Sequence, residues 1–238
     1  GSVVKQGDLL FQLDPKPFEA ALDSARAALA QAQARADAGV QRAWYELMKP
    51  PSELSRWSGD GLTHEQSLDD SVLRVSIQDE SGKIDLNTAS EALLIGLFRS
   101  VGLGQDAAVA LAECVQDWRD PDKLRRLHGA EEAEYLAAGR VYAPPNASFE
   151  TVDELQRVLG MTPELFHRLE PIITVYSGQV GVNTAIAQRS TLLAIPGVNP
   201  EMVDQFMSQR QSAIAAKQPV PIFTGAGAFA GGPAVVPI

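Results

Sequence analysis

The chain has 238 residues, 45% of them hydrophobic, with 30 acidic against 20 basic side chains, a formal net charge of −10 and one cysteine. That length can bury a real core, and the negative balance argues against gripping nucleic acid by phosphate neutralisation or docking on anionic lipid, while it suits cations. A lone Cys114 excludes an intramolecular disulfide, and no run of 18 apolar residues is present to span a bilayer.

Gly1-Ser2 reads as a protease-cleavage scar, which marks a trimmed chain. Residues 3–15 have an extended, turn-punctuated character. From Lys16 to Met48 the pattern is helical: Phe18, Leu22, Ala25, Leu29 and Ala32 recur at spacings of three and four, and Val40, Trp44 and Leu47 continue the stripe. Pro50-Pro51 ends the helix, because proline lacks an N–H and clashes with the preceding turn.

Residues 52–71 are polar and read as a loop. Leu73, Val75 and Ile77 alternate with Arg74, Ser76 and Gln78, the period of a half-buried strand. Asp79-Glu80-Ser81-Gly82 is expected to turn, with Lys83–Leu86 returning as partner strand and feeding a helix. Ile172–Tyr176 is a further strand candidate.

Three segments then share one plan: a capped helix, a glycine stop and another helix. They begin at Asn87-Thr88-Ala89, Thr151-Val152-Asp153 and Asn183-Thr184-Ala185, and turn at Val101-Gly102-Leu103-Gly104, Leu159-Gly160-Met161 and Pro196-Gly197-Val198-Asn199. Thr88 with Glu91 and Thr151 with Glu154 fit the reciprocal capping box. Thr162-Pro163 and Asn199-Pro200 place a cap before a first-turn proline. Asp106–Trp118 reads as helix, with Cys114 a buried structural thiol among acidic neighbours. Gly225–Ile238, rich in Gly, Ala and Pro, is expected to be weakly ordered.

The hairpins resemble helix-hairpin-helix units, which can hold DNA through turn N–H groups and nearby cations. Only the first turn carries both glycines, and the net charge favours a packing role. The acidic cluster points elsewhere. Between Glu113 and Glu134 stand seven carboxylates, at 113, 117, 120, 122, 131, 132 and 134, against four basic residues at 119, 123, 125 and 126. Calcium takes six to eight oxygens from flexible carboxylates, carbonyls and water. Asp117 and Asp120 are spaced to share a helix face; Pro121 breaks the helix and turns Asp122 inward; Gly129-Ala130-Glu131-Glu132 can return carboxylates from a loop. The other reading is a solvated acidic face balanced by Arg119, Arg125 and Arg126. Asp79, Glu80 and Asp85 could form or join a second site. An enzyme finds little support: His64, His128 and His167 are scattered, and no zinc, phosphate or nucleophile motif is present. Trp44 is expected to pack against the strands, and Trp118 to seal the helical domain.

Two resemblances rest on these residues. Gly7 to Ala32 resembles the lipoyl-strand-to-hairpin region of the periplasmic adaptors of efflux pumps. From Ala36-Asp37-Ala38-Gly39-Val40-Gln41-Arg42-Ala43 to about residue 223, and above all at Ile77–Asn87, Asp117–Asp122 and Gly129-Ala130-Glu131, the chain resembles the K-type minor pseudopilin of bacterial type II secretion. The junction falls inside one helical pattern, so a chimera is expected, with residues 1–34 a fused segment and start of the stalk helix. The remaining divisions are 35–86 for the pilin-like helix and strands, 87–171 for the helical domain, and 172–238 for a strand, the third hairpin and a tail.

The resemblance implies an α+β fold: a pilin-like long N-terminal helix plus a small antiparallel sheet with a large inserted α-helical domain. It implies a periplasmic structural protein, natively anchored in the inner membrane by a helix this chain lacks, that caps the tip of the secretion pseudopilus. Its partners would be the I- and J-type minor pseudopilins, met through the stalk helix, at Val40, Trp44 and Leu47, and the nearby sheet face, with no nucleic acid bound. It also implies calcium, with Asp117, Asp120, Asp122, Glu131 and Glu132 as the ligand set. The family usually continues into further strands beyond the position of Ile238. An adaptor fragment and a helix-hairpin-helix DNA-binding module are the alternatives.

Overall fold

The alanine-rich stretch after Pro15 has strong helix propensity, and it forms the 33-residue helix α1 (Lys16–Met48). At about 1.5 Å per residue this is a rod roughly 50 Å long. The Asp14 carboxylate accepts from the Lys16 N–H at its start, and Lys49 leaves the helical region at its end. The computed structural model describes residues 5, 14–50, 53, 55–68, 71–216, 218–223 and 225. The extended character expected at residues 3–13 and the weak order expected at 226–238 lie outside the described residues, Lys5 apart.

The chain divides into two compact units. The first comprises Gly1–Trp57 and Thr63–Val75, the second Ser58–Leu62 and Ser76–Ile238. Strands β1 (Asp60–Leu68) and β2 (Ser71–Gln78) form a two-stranded antiparallel sheet whose residues are shared between the two units. In the first unit Arg74 pairs with Glu65 across this hairpin at 2.7 Å, and Trp57 stacks on His64 with ring centroids 4.1 Å apart. Only Gly39 and Glu46 of α1 are buried. A Cβ on Gly39 would stand 3.2 Å from Leu73 and 3.3 Å from Val75, so glycine lets the hairpin approach the helix closely. Glu46, seven residues on and so on the same face, is held by Arg42 at 2.5 Å and Lys49 at 2.7 Å.

Two expectations are corrected here. Residues 60–68 are strand, not loop; the segment is polar because its outward positions are exposed. The partner of β2 is therefore β1, and Lys83–Leu86 does not return against it. Instead β3 (Ile84–Asp85) pairs in parallel with β4 (Ile173–Thr174), in register Ile84 to Ile173 and Asp85 to Thr174. Both strands are buried, Asp85 and Thr174 included, so neither shows the outward polar positions of a half-exposed strand. The turn between β2 and β3 is a short 3₁₀ helix, Glu80–Gly82, capped by the Asp79 carboxylate on the Ser81 N–H at 2.8 Å.

The second unit is built from helix pairs. α2 (Glu91–Ser100) turns through Gly102, at φ +101°, into α3 (Gln105–Arg119). The 3₁₀ helix Val152–Arg157 turns through Gly160 into α5 (Pro163–Leu169), and α6 (Arg189–Leu193) through Gly197 into α7 (Pro200–Ala215). A short α4 (Glu132–Ala137) lies between the first two pairs. The core gathers Leu93, Leu94, Leu97 and Phe98 of α2, Val115 and Trp118 of α3, Leu192 of α6 and Val203 of α7. Trp118, 2% exposed, stacks on Phe149 and lies beside Tyr135, the sealing role expected of it.

The caps follow the sequence at three starts. Thr151 and Glu154 make their reciprocal box, the Thr162 hydroxyl accepts from Leu165 N–H, and Asn199 accepts from Met202 N–H. At α2 the cap is Ser90, not Thr88, whose hydroxyl instead donates to the Gln179 carbonyl at 2.5 Å.

Candidate functional site

Within the first unit, Val40, Trp44 and Leu47 are 57%, 67% and 37% exposed. Trp44 does not pack against the strands. The helix turns about 100° per residue, so Val40 and Leu47 lie roughly a quarter-turn, and Trp44 more, from the Gly39–Glu46 face that the hairpin meets. Phe18, Leu22 and Leu29 extend the exposed stripe toward the start of α1. A row of large apolar side chains left in water on one helix face suits another helix.

Within the second unit, α3 ends at Arg119 and the chain bends at Asp120-Pro121-Asp122, forming an acidic elbow. Asp117 is wholly buried there. Arg126, arriving from the loop beyond the bend, donates its backbone N–H to the Asp117 carboxylate at 3.2 Å and its Nη1 at 2.6 Å. The same Nη1 donates to Asp120. Burial pushes the Asp117 carboxyl above the ordinary carboxylate range, with the Arg126 contacts pulling it back. Burial also disfavours the Arg126 cation, but the Asp120 and Asp117 carboxylates together more than offset this and raise its pKa. Two directions describe one pair. The upward shift of Asp117 reports its complete burial, and the geometry is that of an ion pair.

The other predicted ligands stand around this pair. Asp122 is exposed and accepts from Leu124 N–H at 2.7 Å, while its carbonyl accepts from the Asn146 amide. Glu131, 8% exposed, caps α4 in a reciprocal box with Glu134. Burial, and then repulsion from Asp117, raises its pKa. Glu132 is exposed. An open groove of about 370 Å³ elsewhere in this unit runs between Asp60 and α7, whereas Glu131, Glu132, Lys123 and Asn146 line one of about 450 Å³ beside the elbow.

Does a hard cation fit these residues? Among the described residues no three His, Cys, Asp or Glu side chains converge as a ready metal cage. Both Asp117 oxygens are engaged by Arg126, but Asp120 Oδ1 and Glu131 Oε1 are buried without a hydrogen-bond partner. Those two oxygens suit a hard cation; the five-residue set does not meet at one point with Arg126 in place. The second acidic trio is spent on structure: Asp79 caps the 3₁₀ turn, Glu80 pairs with Lys83 at 2.8 Å, and buried Asp85 accepts from Asn87 N–H, Gly178 N–H and the Ser177 hydroxyl.

Sequence reasoning missed Arg126, counted only as balancing charge. It also missed the anchors that tie the unit together, such as Arg119 donating to the Leu86 and Ala89 carbonyls and Asn87 exchanging two hydrogen bonds with the Phe149 backbone. No local pattern marks such pairs, since their partners lie tens of residues away.

The family described as type II secretion system protein K matches residues 72–178, which hold the acidic elbow, α2 to α5 and the β3–β4 pair. Over this stretch the chain is similar to protein K of type II secretion. Type II secretion system protein K of Klebsiella pneumoniae is 34% identical over 101 residues, 41% of this chain and 31% of that protein. The protein K of Pectobacterium carotovorum subsp. carotovorum is 28% identical over 112 residues, 46% of this chain and 34% of that protein. The matches thus span about a third of the length of those relatives. A chain of the GspK-GspI-GspJ complex of enterotoxigenic Escherichia coli shares the fold, with a TM-score of 0.59 at 16% identity over 79% of this chain and 72% of that one. That shared fold agrees with the expected α+β class.

Proposed function

We propose that the chain is a K-type minor pseudopilin acting at the tip of the type II secretion pseudopilus, a structural part with no substrate turnover. The observation that supports this is the match of residues 72–178 to the family described as type II secretion system protein K. The mechanism is steric: a bulky unit of helix pairs occupies space at the filament end, while the stalk helix offers its exposed stripe to neighbours. The shared fold with a chain of the GspK-GspI-GspJ complex favours I- and J-type minor pseudopilins as those neighbours. The place of work would be the periplasm, anchored at the inner membrane; among the described residues no helix is long and apolar enough to cross a membrane.

Co-purification with the I- and J-type partners tests the reading. The chain should assemble with them, and Trp44→Asp should weaken the assembly at least tenfold, since a charge placed in a buried apolar contact costs more than about 1.4 kcal/mol. No assembly with intact partners would sink the proposal.

The same reading gives the elbow a structural calcium ion, supported by the two unpartnered oxygens of Asp120 and Glu131. Asp117, Asp122 and Glu132 complete the expected ligand set, and the ion would supply cross-linking positive charge between the end of α3 and the start of α4. A melting temperature indifferent to both calcium and chelator would remove it.

A further inference from the structure

We propose that Arg126 is the resident cation of the acidic elbow and that it competes with a divalent metal ion for Asp117 and Asp120. This rests on the reading that the elbow takes calcium, and it assigns the chain's own guanidinium a part in how tightly.

The geometry is one of shared ligands. Asp117 is wholly buried, and both of its oxygens accept from Arg126; Asp120 gives Arg126 one oxygen and keeps the other without a partner. A calcium ion needs six to eight oxygens. With Arg126 in place, Asp120 Oδ1 and Glu131 Oε1 are the buried carboxylate oxygens here left over. With the guanidinium withdrawn, Asp117 Oδ1 and the second oxygen of Asp120 join them, while Asp117 Oδ2 keeps the Arg126 backbone N–H. One site, two occupants.

The two contenders differ in mobility. The Arg126 side chain is 34% exposed and can swing into water on its flexible stem, whereas the Asp117 side chain is fully enclosed. Gly129 lies so close that a Cβ there would stand 2.0 Å from Asp117 Oδ2, so that carboxylate has little room to move. The ligands are therefore fixed, and the arginine is the part that can leave.

Competition of this kind lowers apparent metal affinity by the fraction of time the site is filled by its own cation. Calorimetric titration of the full 238-residue chain with calcium chloride tests it. Arg126→Gln should bind calcium between about 5- and 150-fold more tightly than the parent chain, the range of ordinary coupling energies. It should also melt lower in chelator and recover in calcium. Adding Asp117→Asn should cancel the gain in affinity. Arg126→Lys, which keeps the charge but loses the planar fork, should fall between, and it carries the test should the glutamine variant fail to fold. Equal affinities for the parent and both variants would overturn the competition, as would a gain that survives Asp117→Asn or calcium binding to neither chain. A parent chain that ignores calcium beside a variant that binds it would leave the competition standing and end the calcium reading for the native protein.

Discussion

Gly129 and Gly96 show how single positions hold the second unit together. A Cβ on Gly129 would meet Asp117 Oδ2 at 2.0 Å, and one on Gly96 would meet the Ala194 carbonyl oxygen at 2.0 Å, where α2 crosses α6. The Ala194 oxygen is backbone and the Asp117 carboxylate is wholly enclosed, so each alanine must push structure aside. Gly129→Ala and Gly96→Ala are each expected to cost about 1–3 kcal/mol, read as a lower urea midpoint with unchanged slope. Cys114 behaves as the sequence suggested. It is 6% exposed, and burial, then Asp117 and Glu113, pushes its thiol up to about 12. It should resist alkylation at pH 8 in the native protein and react once urea unfolds the chain. Rapid modification without denaturant would contradict that burial. Arg126 was not legible in the same way: its value depends on where the loop after Pro121 returns, and nothing at positions 120–131 encodes that path locally.

At the scale of elements, end signals were the most readable feature, because a cap satisfies orphan N–H groups three residues away. Removing the Asn199 cap, as Asn199→Ala, should cost about 1 kcal/mol, while Thr88→Ala should leave the start of α2 intact, since Ser90 caps it. Retained helix content in the first and a frayed α2 in the second would both count against this assignment. Between α6 and α7, Arg189 grips Asp204 at 2.7 Å and holds its carboxyl below the usual carboxylate range. A carboxyl depressed in the folded state adds stability above its ordinary pKa of about 3.9 and loses it as the pH falls through the folded value. Asp204→Asn should therefore melt slightly lower than the parent at pH 7, with the gap closing below about pH 4. The pair is exposed, so salt should shrink the difference as well. Strands were less legible. β1 carries Thr63, His64, Glu65, Gln66 and Ser67 in a row, and only its pairing with β2 makes that composition a strand. β3 and β4 are two residues each, too short for any period to register.

For the molecule as a whole, charge sets what the helix pairs can do. Their turns place Gly102, Gly160 and Gly197 at positive φ, as helix-hairpin-helix turns require. Yet the net charge is −10, and long-range repulsion of phosphate works against any grip on duplex DNA. A titration of the chain with duplex DNA at low salt should show no saturable binding. Affinity that fell steeply with added salt would revive the nucleic-acid reading.

The sequence by itself determined the long helix to within its observed bounds, the three helix pairs, most of their caps and the burial of Trp118, because helical period, capping and proline stops are written within a few residues of one another. It also carried the acidic elbow and the protein K resemblance. Tertiary structure decided which strands pair, which face of α1 its own hairpin uses, and that Asp117 and Asp120 fold around Arg126. Those outcomes depend on partners separated by anything from six to about ninety residues, and the free energy that selects among them comes from burial and charge pairing that exist only once the chain has closed on itself.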